Sequence, residues 1–237
     1  MLSDRYYFDD GISRKSWSIV IRGKSVETTW GKLGAKGRES TKVHNDTKEA
    51  KAAAKIAAAE KVKQGYIRVD PSQLKINRLK GTRKATETQV AQFEKQINAR
   101  LPQEYRNFLL TYNGGRPVSE GIKVFGHPDP YGYIASVNPL YSLSPSVPPY
   151  ESLQAAVDSD YYVLPSGHLP IADSGGNLIT IDLKQKIGVI YYFDHEMPDE
   201  DELDDDDVTH YTMKNAILLA GSFDELLTRM AVYRDLD

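Results

Sequence analysis

The chain contains no cysteine, which excludes disulfides, thiolate metal sites and cysteine nucleophiles together. It holds no 18-residue apolar run, so no segment suits a membrane-spanning helix. The opening Met1-Leu2-Ser3-Asp4-Arg5-Tyr6 lacks the apolar core of a signal peptide, and a cytoplasmic protein is the expectation. Positive charge is scarce after position 84: residues 85–237 carry 10 Lys+Arg against 24 Asp+Glu, a net of −14. Residues 1–84 carry 20 against 9, a net of +11, and the two parts sum to the −3 of the whole chain. One fold has no need of such a split. It indicates two modules facing opposite electrostatic partners, the basic one suited to phosphates or acidic surfaces and the acidic one to basic surfaces. A length of 237 residues fits one small and one ordinary domain.

In the basic part, Trp17, Ile19 and Ile21 alternate with polar residues, and after Arg22-Gly23-Lys24 the run Val26–Trp30 alternates again. Two such runs around a glycine turn read as a β-hairpin. Gly31, Gly34 and Gly37 punctuate the next stretch before a short strand over Ser40–Val43. Asp46 with Glu49 three residues on forms a capping-box pattern that opens an alanine-rich helix to about Lys63, with Gly65 as its stop. Lys32, Lys36 and Arg38 cluster among glycines whose amides can approach a phosphate closely, which makes Trp30, Lys32, Lys36 and Arg38 a candidate anion- or nucleic-acid-binding set. Trp30 shares a strand face with Val26 and Thr28, so a core aromatic is the first reading of it and a stacking surface the second. Gly23-Lys24-Ser25 imitates the end of a phosphate-binding loop, but Ser18 stands where the upstream glycine belongs and a strand follows where a helix should.

Trp30-Gly31-Lys32, the strand before it, Gly34 and Gly37 after it, and the Lys/Ala helix ending in Gly65-Tyr66 resemble the WGR domain over most of residues 5–68. That family can contact nucleic acid. Lys32 stands at its third signature position in place of arginine; it keeps the charge but not the planar fork that stacks and binds bidentately.

In the acidic part, Thr86 and Gln89 cap a helix with Val90, Phe93 and Ile97 on one face. Leu101-Pro102 breaks it, and Tyr105, Phe108, Leu109 and Tyr112 stripe a second helix that ends at Asn113-Gly114-Gly115. A long irregular stretch from Pro117 to about Pro149 follows, then a short helix near Ser152–Val157 and strands over Leu178–Leu183 and Gly188–Phe193. Ser222 and Glu225 box a final helix through Phe223, Leu226, Leu227 and Met230. The succession Leu101-Pro102-Gln103-Glu104-Tyr105, Asn113-Gly114-Gly115, Leu169-Pro170-Ile171-Ala172-Asp173, Gly176-Asn177, Gly188-Val189-Ile190-Tyr191 with Asp194-His195-Glu196, and Leu219-Ala220-Gly221-Ser222-Phe223 resembles the SUKH superfamily, the Smi/Knr-type fold of bacterial immunity proteins. The resemblance spans about residues 84–232. It implies a mixed sheet flanked by helices and a protein that binds and neutralises a cognate toxin, often a nuclease, delivered between competing bacteria. The whole chain then reads as α+β: a small antiparallel sheet plus helix over 1–75, a linker over 76–84, and a mixed-sheet domain over 85–237.

Between Asp199 and Asp207 eight of nine residues are acidic, namely Asp199, Glu200, Asp201, Glu202, Asp204, Asp205, Asp206 and Asp207. A nuclease presents a basic cleft, so this run is the candidate toxin-binding surface, acting as a phosphate mimic that steers association. A solvated loop is the plainer reading, and docking on the chain's own basic module a third. Nothing points to catalysis. Asp194-His195-Glu196 holds the residue types of acid–base or metal chemistry, but no His-x-x-x-His spacing accompanies it, and His44, His127, His168 and His210 stand isolated. Ser222 lacks the second glycine of a nucleophile elbow. The expectation is a non-enzymatic immunity protein without cofactor or metal, its partner a cognate toxin. The alternative is a nucleic-acid-binding adaptor acting through the WGR-like part.

Overall fold

The alternation around Gly23 forms the hairpin it suggests. Strands β2 (Arg14–Arg22) and β3 (Ser25–Lys32) pair antiparallel, and Gly23 takes the positive φ of +60° that a two-residue turn needs. The sheet runs on at both sides, to β4 (Arg38–Val43), to β1 (Leu2–Asp9), and beyond β1 to the two-residue β5 (Ile67–Arg68). Strand β1 is not among the sequence expectations, because Tyr6 and Tyr7 are both buried and no alternation marks it. Helix α1 (Thr47–Lys63) lies on one face, where Ala50 and Ala54 let its backbone come close to Tyr6, Trp17, Ile19 and Val26. Asp46 Oδ1 accepts the Glu49 N–H at 2.7 Å, while the Glu49 carboxylate reaches back to the Asn45 N–H at 2.9 Å.

In this computed structural model the described residues are 2–128, 133–197 and 208–233. They divide into two units, residues 1–70 and 71–237. The second unit begins before the place where its first helix is expected. Leu74 and Leu79 are buried, and β6 (Ile76–Asn77) pairs with β7 (Arg116–Pro117), so the stretch expected as a linker is instead structured and packed. Its polar, basic composition hides two apolar anchors.

The core of the second unit joins an antiparallel sheet of order β11-β12-β13-β15 to four helices. Its strands are β11 (His168–Ser174), β12 (Asn177–Asp182), β13 (Ile190–Phe193) and β15 (Ala216–Ala220). Two smaller pairs accompany it: the antiparallel hairpin β8 (Gly121–Val124) and β9 (Tyr133–Ser136), and the parallel pair β10 (Tyr162–Val163) and β14 (Thr209–His210). Helix α2 (Glu87–Gln96) carries the full capping box, with Gln89 N–H on Thr86 Oγ1 and the Gln89 side chain on Thr86 N–H. Helix α3 (Gln103–Thr111) stops at Asn113 and Gly114, whose φ values are +58° and +82°. Gly114 has a second duty: a Cβ there would meet Ser142 Cβ at 2.8 Å and Leu140 O at 2.9 Å, so any side chain would clash with the segment Leu140–Ser142 as it passes. The short helix α4 (Leu153–Val157) is capped by Ser152, and α5 (Phe223–Val232) by Ser222. In the described part of the 117–149 stretch, expected to be irregular, lies the β8–β9 hairpin, which buries Ile122, Val124 and Ala135.

Tyr105, Phe108 and Phe223 meet at the centre, with centroids 4.9 Å apart between Phe223 and each of the other two. The Tyr105 hydroxyl is buried there with no hydrogen-bond partner among the described residues, and burial pushes its pKa far above the ordinary phenol value. Tyr105→Phe removes a polar group whose desolvation nothing repays, and we expect it to raise stability by about 1 kcal/mol in urea unfolding; a loss of that size would mean the hydroxyl is bonded.

Candidate functional site

The basic candidates come together at one end of the first sheet. Trp30 and Lys32 lie on β3, Arg38 opens β4 directly across from Trp30, and Lys36 sits in the connecting turn. Lys32 in turn faces Lys15 on β2. All four candidates are exposed, Trp30 by 37%. The core that α1 closes includes Trp17 but not Trp30, which corrects the reading of Trp30 as a core aromatic. The turn glycines are there for space: a Cβ on Gly31 would stand 3.0 Å from Gly37 Cα, and one on Gly37 would stand 3.1 Å from Trp30 O. This close crossing brings Lys36 and Arg38 back beside Trp30. The set offers one aromatic face and three cations to an anionic partner.

Asp199, Glu200, Asp201, Glu202, Asp204, Asp205, Asp206 and Asp207 lie outside the described residues. The described chain resumes at Val208, followed by β14, which pairs with β10 through Thr209 and Tyr162.

Three of the four histidines that stand isolated in sequence have side-chain partners in space. His127 Nε2 lies 2.8 Å from Asp194 Oδ2, and its ring stacks on Tyr133 with centroids 4.2 Å apart. His168 Nδ1 is 3.0 Å from Thr180 Oγ1, His44 Nδ1 is 3.8 Å from a Glu49 oxygen, and His210 sits in β14. Asn177 Oδ1 accepts the His195 N–H at 2.7 Å and lies 2.5 Å from its ring Nδ1. The Asn177 amide donates to the hydroxyls of Tyr133 and Tyr192. His127, Tyr133, Asn177, Tyr192, Asp194 and His195 thus form one network that ties β9, β12 and β13 to the turn after β13. These polar atoms hydrogen-bond one another, as buried polar groups in a packed unit generally do. Among the described residues no group of three or more metal-binding side chains is placed to hold a metal ion.

One feature has no counterpart in the sequence reading. A groove of about 1070 Å³ opens beside α4 and β10, with Tyr141, Tyr150, Tyr161 and Tyr162 in its lining. Three carboxylates line it, Asp158, Asp160 and Asp173, against one guanidinium, Arg116. Arg116 is already paired with Glu151 and donates to Asn138 Oδ1 at 2.6 Å, so its charge is offset within the unit. The signal was visible as tyrosines and aspartates crowded over 158–162. The remaining lining comes from segments far apart in sequence, so no linear pattern marks the groove.

Comparison with known proteins follows this division. The model described as the SMI1 / KNR4 family (SUKH-1) matches residues 84–229, and that of the WGR domain matches residues 8–73. The first match covers more than half of the molecule, and the chain belongs to the SMI1/KNR4 (SUKH-1) family. It carries a WGR domain ahead of that part. It is similar to the SPbeta prophage-derived uncharacterized protein YokK of Bacillus subtilis (strain 168), 29% identical over 153 residues, covering 60% of this chain and 72% of that protein. Among solved structures, a Bacteroides fragilis protein is 39% identical over 28% of this chain, with a TM-score of 0.28, and the matched part is 19% of that protein's length. Among the described residues no helix is long and apolar enough to cross a membrane.

Proposed function

We propose that this protein is a bacterial immunity protein that binds a cognate toxin, a nuclease by charge logic, and neutralises it without catalysis in the cytoplasm. The observation that carries the reading is membership of the SMI1/KNR4 (SUKH-1) family over residues 84–229, whose members typically act as toxin-binding immunity proteins. The net of −14 beyond position 84 supports a basic partner. The test is co-expression with the effector encoded next to this gene. Relief of its toxicity is the expected result, and undiminished toxicity at matched expression contradicts it.

Asp199–Asp207 is assigned to steering within this reading. Neutralising Asp204, Asp205, Asp206 and Asp207 to asparagine is expected to slow association several-fold and flatten its salt dependence, with dissociation little changed. Stopped-flow association at two ionic strengths decides it; identical rates would leave the run a solvated loop.

A second reading is favoured by the exposed cluster Trp30, Lys32, Lys36 and Arg38: the WGR domain docks on nucleic acid. Log-affinity of the full chain for a duplex oligonucleotide should fall linearly with log salt, and a Lys32→Ala/Lys36→Ala variant should lower that slope by about 2. No binding at low salt removes this reading.

A further inference from the structure

The tyrosine-lined groove adjoins a second cavity. Ala156, Ser159 and Tyr162 line both it and a neighbouring space of about 410 Å³. The Tyr162 hydroxyl donates to the Ala156 carbonyl at 2.5 Å, which fixes the ring as the wall between the two. The two halves differ in chemistry. On one side stand Asp158, Asp160 and Asp173 with exposed rings: Tyr150 is 69% and Tyr161 80% exposed. Aromatic rings that far out in water bury little of the chain's own surface, so their placement beside carboxylates needs another reason. On the other side stand Ile97, Val157, Leu164, Leu169 and Leu183, and no Asp, Glu, Lys or Arg enters that lining. Its one imidazole, His168, is held below its ordinary pKa by burial, so it is neutral at pH 7.

We propose that this two-part groove is the contact for a segment of the toxin that presents a lysine or arginine side chain followed by an aliphatic one. The cation would lie among Asp158, Asp160 and the faces of Tyr150 and Tyr161, where carboxylate pairing and cation–π attraction act on the same charge. The aliphatic side chain would enter the uncharged half beyond Tyr162. Burial and the negative charge of Asp173 raise the pKa of Tyr141, and burial raises Tyr162 to about 12, so both phenols stay neutral and leave the site's negative charge to the aspartates. Each cavity is of a size that holds a small ligand or a few side chains. Phosphate is a poor occupant, because three carboxylates face it and the one guanidinium is already engaged. The assignment rests on the toxin-binding reading for the partner's identity, while the groove's chemistry stands apart from it.

The test separates the two. The 15N-labelled full chain is titrated with Ac-Arg-Leu-NH2, Ac-Glu-Leu-NH2 and spermidine, and amide shifts are followed. The expected result is saturable shifts from Ac-Arg-Leu-NH2 at Tyr161, Tyr162, Ser166 and Leu169. Affinity should drop at least tenfold in Asp158→Asn/Asp160→Asn and return in Asp158→Glu/Asp160→Glu, changes at exposed positions that leave the core alone. No saturable shift, equal shifts from Ac-Glu-Leu-NH2, or equally tight spermidine binding at the same residues overturns the proposal. If the peptide binds and co-expression shows no protection, the immunity reading falls alone. If protection is seen and the peptide does not bind, the groove assignment falls alone. If both succeed, the asparagine variant should bind toxin at least tenfold more weakly, and unchanged affinity contradicts the groove as the toxin contact.

Discussion

Phe223→Ala is expected to cost about 3–5 kcal/mol of unfolding free energy, the range for emptying a fully buried phenylalanine site. Phe223 has no exposed surface, and its ring closes the contact of α5 with Tyr105 and Phe108 on α3. The helices and the sheet share this one core, so the cavity has nowhere to collapse without moving an element. Against a typical total of about 5–15 kcal/mol, that loss leaves the domain marginal. Urea unfolding followed by circular dichroism should show a lower midpoint at unchanged slope. A cost below about 1 kcal/mol would mean that the aromatic cluster is not the centre of the unit.

Glu94→Ala is expected to cost about 3–5 kcal/mol, for an electrostatic reason. Glu94 is 5% exposed; it accepts the Leu101 N–H at 3.0 Å and Arg100 Nη1 at 2.9 Å, and it pairs by charge with Arg106, whose Nη1 lies 3.1 Å away. Arg100 is largely in water and gives little back. Arg106 is mostly buried, and with Glu94 gone it keeps only the exposed Glu87 carboxylate, while the Leu101 N–H is left unpaired at the bend between α2 and α3. Glu94→Gln keeps an acceptor for that N–H and should cost roughly half as much. Equal effects from the two substitutions would show that charge and not the backbone bond dominates.

The fold is legible in the sequence where one residue type has one job. Asp46, Thr86 and Ser222 cap helices where their spacing to Glu49, Gln89 and Glu225 indicated, since each side-chain oxygen is the nearest acceptor for an end N–H. The fold is not legible where burial erases periodicity. Strand β1 buries adjacent tyrosines, and β11 runs through Pro170 with a register shift between Pro170 and Ala172, which breaks the pattern of a strand. Strand β15 was missed as well, as was the packed stretch 71–84, where Leu74 and Leu79 sit among basic residues. At the candidate sites the basic cluster was legible because a single hairpin carries all four of its residues. The groove and the histidine network were not, because Arg116, Tyr141, Asp173, His127 and Asn177 meet only after the chain has folded.

One measurement bears most directly on neutralisation by binding. A fixed amount of the purified effector encoded beside this gene, proposed to be a nuclease, is titrated with this chain, and its residual activity is read at each ratio after short and long preincubation. Stoichiometric binding gives activity that falls linearly to zero near one equivalent and does not change with preincubation time. Activity that vanishes at a small fraction of an equivalent and keeps falling with time would show turnover. Activity that persists at large excess would show that the chain does not neutralise that enzyme.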